Sequence, residues 1–91
     1  MNTAQVLVTG YVQGIGYRYF VKRNALNLGV FGWVKNLPNG QVECLFQADS
    51  KETIEKLINE CKKGPFLAKI SDLKVDWLNI KKRYGSFEVL T

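Results

Sequence analysis

Apolar positions along this chain keep two periods, and the switches between them outline its elements. From Gln5 to Val12 they alternate, with Val6, Val8 and Val12 on one side and Leu7, Thr9 and Tyr11 on the other. The run is rich in β-branched residues and predicts a strand buried on at least one face. Tyr17, Phe20, Val21, Ala25 and Leu28 follow helical spacing instead, and Gly29 stands where a left-handed residue closes a helix, so a helix is predicted over Tyr17–Leu28. Val30–Asn36 and Gln41–Gln47 read as two strands around the turn residues Leu37-Pro38-Asn39-Gly40. The second alternates Val42, Cys44 and Phe46 against Gln41, Glu43 and Gln47, which makes the pair a hairpin. Ser50–Lys63 carries a second helical stripe of Ile54, Leu57, Ile58 and Cys61. Asp49 or Ser50 caps it, Glu52 lies three residues after Asp49 as in a capping box, and Gly64-Pro65 stops it. Ile70–Leu78 alternates Leu73, Val75 and Trp77 against Lys74 and Asp76, and a short strand is predicted over Ser86–Leu90.

Both helical stripes need cover, and the economical arrangement lays the two helices on one face of an antiparallel sheet. The predicted class is therefore α+β, the ferredoxin-like split βαβ in the order βαββαβ, with a short extra C-terminal strand. With 91 residues, 46 % of them hydrophobic, the chain can fill one core and little more, and no linker, repeat or low-complexity stretch divides it. Residues 1–91 are expected to form a single domain.

Composition narrows the chemistry. No apolar run is long enough to span a bilayer, and the N-terminus lacks the regions of a secretory signal, so a cytoplasmic protein with no membrane partner is expected. The chain has no histidine and only two cysteines, Cys44 and Cys61, leaving zinc and Cys/His catalysis almost no ligands. Both cysteines fall on apolar faces. Buried reduced thiols are the plain account and a disulfide the alternative. A formal charge of +5 and a pI near 9.4 suit an anionic partner, whether a phosphorylated metabolite or nucleic acid, or serve only solubility. The cluster Lys81-Lys82-Arg83 reads as a solvated turn.

The segment Gly10-Tyr11-Val12-Gln13-Gly14-Ile15-Gly16-Tyr17-Arg18 stands out against this background. Its three glycines lie between a strand and a helix, where backbone N–H groups can turn inward with no Cβ in the way. The helix adds unpaired N–H groups and the positive end of its dipole, and Arg18 supplies a forked cationic donor in the first turn. The arrangement is a cradle for a phosphate-sized anion. The glycines also suit a tight turn with no ligand, and Arg18 a solvated helix position. No Lys-Ser/Thr follows at Walker A spacing, and the dinucleotide fingerprint is absent too.

The same segment resembles the acylphosphatase signature G-x-V-Q-G-V-x-F-R, with Ile15 for the usual Val and Tyr17 for the usual Phe. Gly32-Trp33-Val34-Lys35-Asn36-Leu37-Pro38-Asn39-Gly40-Gln41-Val42 is similar to that family's G-[FYW]-V-K-N-x-x-x-G-x-V pattern. Gly64-Pro65-Phe66-Leu67-Ala68 and Phe87-Glu88-Val89 are weaker echoes, and Ala48 stands where a Gly often closes the third strand. The resemblance implies hydrolysis of the carboxyl-phosphate bond of small acyl phosphates. It implies Arg18 as the phosphate-binding residue and Asn36 as the one that positions water. In the expected phosphate-binding loop of Gln13, Gly14, Ile15, Gly16, Tyr17 and Arg18, the Gly14–Arg18 amides surround the phosphoryl oxygens and Gln13 shapes the turn. A small-molecule acyl phosphate is then the expected partner, with no nucleic acid, no metal and no other cofactor, and size and charge favour a monomer.

Elementary chemistry agrees. A carboxylate leaves with a parent pKa of about 4 to 5, so it needs no general acid, and phosphoryl transfer asks mainly for positioning and charge stabilisation. On its neighbours alone, Asn36 also fits a turn residue beside Pro38 and Gly40. Tyr11, Tyr19, Phe31 and Trp33 either line an acyl site or pack between sheet and helices, and packing suits most of them. Lys22, Arg23 and Lys35 raise the local potential or serve solubility. Two other classes compete. The strand and helix order is shared with RNA-binding modules, but the basic-aromatic stretch Lys82–Val89 falls at the chain end and not on the third strand. A binding-only relative, like the acylphosphatase-like domain of larger carbamoyl-transfer proteins, is the other.

Overall fold

The structure, a computed structural model, describes residues 1–90. Its elements are β1 (Asn2–Tyr11), α1 (Tyr17–Leu28), β2 (Phe31–Asn36), β3 (Val42–Ala48), α2 (Lys51–Lys63), β4 (Lys69–Leu78) and β5 (Phe87–Val89). The strands form one five-stranded sheet in the order β4-β1-β3-β2-β5. The central strand β1 is antiparallel to both β3 and β4, and β2 pairs antiparallel with β3.

Strand alternation sorts the side chains. Val6, Val8 and Val12 from β1 and its exit, Val34 from β2, and Val42, Cys44 and Phe46 from β3 are buried together with Val21 and Ala25 of α1 and Ile54, Leu57 and Cys61 of α2. Both helices therefore cover one face, and each fully buried aliphatic or aromatic side chain contributes about 1.5–3 kcal/mol. The rings of Phe46 and Phe87 meet at 6.1 Å between centroids. They do so across Gly32, which pairs with both residues and has no side chain to part them.

Some expectations need correction. The sheet is mixed, not antiparallel, because β5 joins the far edge parallel to β2, with Gly32 opposite Phe87 and Val34 opposite Val89. To reach that edge from β4, residues 79–86 cross the face that has no helices. Gln47, on the polar side of the predicted alternation, is buried beneath this strap, donating to the Lys82 carbonyl at 2.8 Å and accepting from the Tyr84 amide at 2.9 Å. Phe31 and Trp33 lie on this same open face and not between sheet and helices, since only the alternate residues Gly32 and Val34 are buried. The capping box of α2 does not form. Ser50 is the N-cap without a side-chain hydrogen bond, the Asp49 carbonyl accepts from Asn2, and Glu52 pairs with Lys56 one turn on. Cys44 and Cys61 are free, buried thiols, and Ala48 needs no left-handed backbone, as positive φ among the described residues occurs only at glycine.

Candidate functional site

The segment between β1 and α1 rises at one end of the sheet. Gly10 belongs to the sheet and not to the loop. It pairs with Ile70 where β4 bulges, and a Cβ there would lie 2.0 Å from the Lys69 carbonyl oxygen. The loop proper begins at Val12, whose buried side chain anchors it to the core. Gly14 and Gly16 have φ of +77° and +81°, a region open to glycine at little cost, and nothing lies within 4 Å of where their Cβ atoms would be. The chain can thus reverse twice within a few residues while its backbone stays open to solvent. Ile15, between them, turns inward against the core.

Gly16 is also the N-cap of α1. It has no side chain to offer the helix, no acidic residue stands in the first turn, and the first helical hydrogen bond runs from the Phe20 amide to the Gly16 carbonyl at 3.0 Å. The amides of Tyr17, Arg18 and Tyr19 therefore precede the first intrahelical donor, and the positive end of the dipole is not neutralised from within. The first turn of α2, by contrast, carries Glu52. The difference leaves α1 as the helix end suited to an external anion.

Tyr17 and Arg18 diverge from there. The Tyr17 side chain is buried, and its hydroxyl donates to the Cys61 carbonyl at 2.8 Å. It thereby satisfies a carbonyl in the last turn of α2, which explains how a phenol fits in the core. Burial, chiefly, pushes the Tyr17 hydroxyl far above the usual tyrosine range, so Tyr17 offers the site only its backbone. Arg18 is half-buried, and its Nη1 donates to the Leu90 carbonyl at 2.7 Å. Leu90 is held in turn by its own amide on the Val34 carbonyl at 2.8 Å. Leu90, just after β5, thus fixes one arm of the guanidinium, which no pattern in the sequence announced.

Asn36 ends β2 opposite Val42. Its side-chain oxygen Oδ1 is buried without a hydrogen-bond partner. Such an orphan costs roughly 1–3 kcal/mol, and among the described residues no other buried side-chain nitrogen or oxygen lacks a hydrogen-bond partner. The loop and Asn36 are brought together by Gln13, whose Nε2 donates to the carbonyls of Leu37 and Gln41 at 2.8 and 2.9 Å. The two segments singled out in the sequence meet through this one side chain.

The other candidates lie elsewhere. Lys35 pairs with Glu43 at 3.5 Å beside Trp33 on the open face, and Arg23 lies over the Phe20 ring. Tyr11 and Tyr19 are 59 % and 63 % exposed, packed into neither layer. The strap held by Gln47 crosses the sheet face on which RNA-binding modules of this topology stack bases. A hollow of about 500 Å³ between α2 and β4, walled by Ile58, Val75 and Trp77, includes no residue of the loop. Among the described residues no three of His, Cys, Asp and Glu gather as metal ligands, and no helix is long and apolar enough to cross a membrane.

Comparison with known proteins bears on the same segments. The acylphosphatase family model matches residues 4–89. An acylphosphatase of Methylococcus capsulatus is 40 % identical over 90 residues, covering 99 % of this chain and 97 % of that protein. Among solved structures, the acylphosphatase of Bacillus subtilis superposes with a TM-score of 0.95 at 30 % identity, each chain covered in full. HypF of T. kodakarensis matches with a TM-score of 0.86 at 31 % identity, over 99 % of this chain but 12 % of that one. Fold, full-length likeness and both sequence segments agree, and the chain belongs to the acylphosphatase family.

Proposed function

We propose that this protein hydrolyses the carboxyl-phosphate bond of small acyl phosphates, with Arg18 and the Gly14–Arg18 amides holding the phosphoryl group and Asn36 aiming the attacking water. The family and the fold support acyl phosphate hydrolysis. The observation that carries the residue assignment is the buried, unbonded Oδ1 of Asn36, next to a hairpin turn bound to the loop.

The phosphoryl oxygens sit against amides at the N-terminus of α1, where the dipole favours negative charge. The part of the Arg18 fork not bonded to Leu90 takes up two of those oxygens. Water donates a hydrogen bond to Asn36 Oδ1 through the proton it keeps, which fixes its lone pair toward phosphorus. The new P–O bond forms as the bond to the carboxylate oxygen breaks, the carboxylate leaves unprotonated, and the water's second proton passes to a phosphoryl oxygen. An amide is no strong base, so the arrangement suits a leaving group that needs no acid. None of these steps calls on a metal ion.

The test is hydrolysis of benzoyl phosphate, followed by loss of its ultraviolet absorbance, for wild type and Arg18→Ala side by side in EDTA. Turnover by wild type with a loss of about 10²- to 10³-fold in the variant is expected. No turnover by wild type overturns the hydrolytic reading in favour of anion binding alone, and a rate that needs added divalent metal overturns the metal-free one.

A further inference from the structure

We infer that Gln13 is a positioning residue, which sets the distance between the phosphate cradle and the water held by Asn36 and takes no part in binding the phosphate. The inference rests on the hydrolytic reading above. Both protons of its amide nitrogen are used on protein carbonyls, those of Leu37 and Gln41. A side chain whose two donors are committed has none to offer a phosphoryl oxygen.

The two carbonyls do not need Gln13. The Leu37 oxygen already accepts from the Gly40 amide at 3.1 Å, and the Gln41 oxygen from the Leu37 amide at 2.8 Å. The mouth of the hairpin is closed by its own backbone, and Gln13 occupies the second lone pair of each oxygen. The turn is further stiffened by Asn39, bonded to Gln41 through both its side-chain oxygen and nitrogen, and Gln41 reaches Thr9 at the end of β1 at 2.9 Å. Removing Gln13 therefore leaves a hairpin that still closes and no orphaned carbonyl. What disappears is the tie from the loop, where Val12, Gly14, Ile15 and Gly16 have no polar side chain to replace it.

Asn36 lies one residue before Leu37, so the tie is one residue from the atom that holds the water. In an in-line attack, a displacement of about 1 Å between nucleophile and phosphorus costs on the order of 10²-fold in rate. The cradle is built from amides on the other side of the tie and keeps its own geometry.

The experiment compares wild type, Gln13→Leu, Asn36→Ala and the double variant, by kcat for benzoyl phosphate and by the competitive inhibition constant of inorganic phosphate. Gln13→Leu keeps the size and loses the donors. It is expected to lower kcat by roughly 10- to 100-fold and to leave phosphate inhibition within about 2-fold. In the Asn36→Ala background the same change is expected to cost about 2-fold or less, because two residues acting through one water are not additive. Phosphate inhibition weakening in step with kcat/KM overturns the proposal and places Gln13 in the cradle. A full multiplicative loss in the double variant overturns it too, and so does an unchanged kcat in Gln13→Leu. If Gln13→Leu fails to fold, Gln13→Asn is measured in the same way. It keeps the donors on a shorter arm, and the same expectations and refutations apply. An inactive wild type fails the hydrolytic reading itself, a result distinct from an active wild type that ignores Gln13.

Discussion

Replacing Asn36 with alanine sets activity against stability in opposite directions. The wild type buries Oδ1 without a partner, a cost of roughly 1–3 kcal/mol. Alanine removes that atom and forfeits the packing of little more than one methylene-sized group at a half-buried strand end, about 0.8 kcal/mol. The difference runs from no change to about 2 kcal/mol of added stability, and at roughly 4–8 °C per kcal/mol for a domain of this size the melting temperature should hold or rise. Turnover of benzoyl phosphate should fall by about 10²- to 10³-fold if Oδ1 supplies one interaction made in the transition state. Thermal unfolding by circular dichroism and the absorbance assay, run on one preparation, read both. A variant that melts several degrees below wild type while keeping its turnover would refute the reasoning, since Asn36 would then be a structural residue of the turn.

Other expectations follow from the same contacts. Arg18→Lys keeps the charge but replaces the fork with a single ammonium that cannot reach Leu90 and two phosphoryl oxygens at once; kcat/KM should drop by about 10²-fold or more, and wild-type activity would show that charge alone suffices. Tyr17→Phe removes the hydrogen bond to the Cys61 carbonyl and should destabilise by roughly 1 kcal/mol in urea titrations while phosphate inhibition stays unchanged. A weakened phosphate constant would put the Tyr17 side chain in the site. Burial pushes the Cys61 thiol up from 9.0 to about 12 and the Cys44 thiol well above its ordinary value. Thiols that stay protonated when folded but ionise when unfolded contribute stability that is full below pH 9 and drains as pH rises from 9 toward 12, by about 1.4 kcal/mol per pH unit for each. Urea midpoints at pH 8, 9.5 and 10.5 test this, and equal midpoints would contradict it.

Most of the frame could be read from the chain because it is written in periods. Val6, Val8 and Val12 alternate in the sequence and are buried together, and the stripe Ile54, Leu57, Ile58, Cys61 is the buried face of α2. Gly29 closes α1 in the left-handed conformation its position suggested. What escaped was non-local. The parallel seat of β5 depends on a strap crossing the sheet, and nothing in residues 79–86 alternates or repeats. Gln47 sits in a polar phase of β3, and a glutamine covered by a distant segment looks there like one facing water. The loop itself was legible through its glycines and Arg18. Its couplings were not, since Gln13 to Leu37 and Arg18 to Leu90 span 24 and 72 residues and leave no local signature.

On the role proposed for Arg18, that last span also ties turnover to the order in which the chain folds. The amides at the start of α1 need only a helical turn to point at an anion, a local event. The tether on Arg18 requires the sheet, the strap and a three-residue edge strand to be in place, so its long loop is closed late. An edge strand this short is also where native proteins open first. When β5 frays, the core and the amides persist while the guanidinium loses one of its holds. Activity should therefore recover with the slowest refolding phase, and on heating should fade before the fold does.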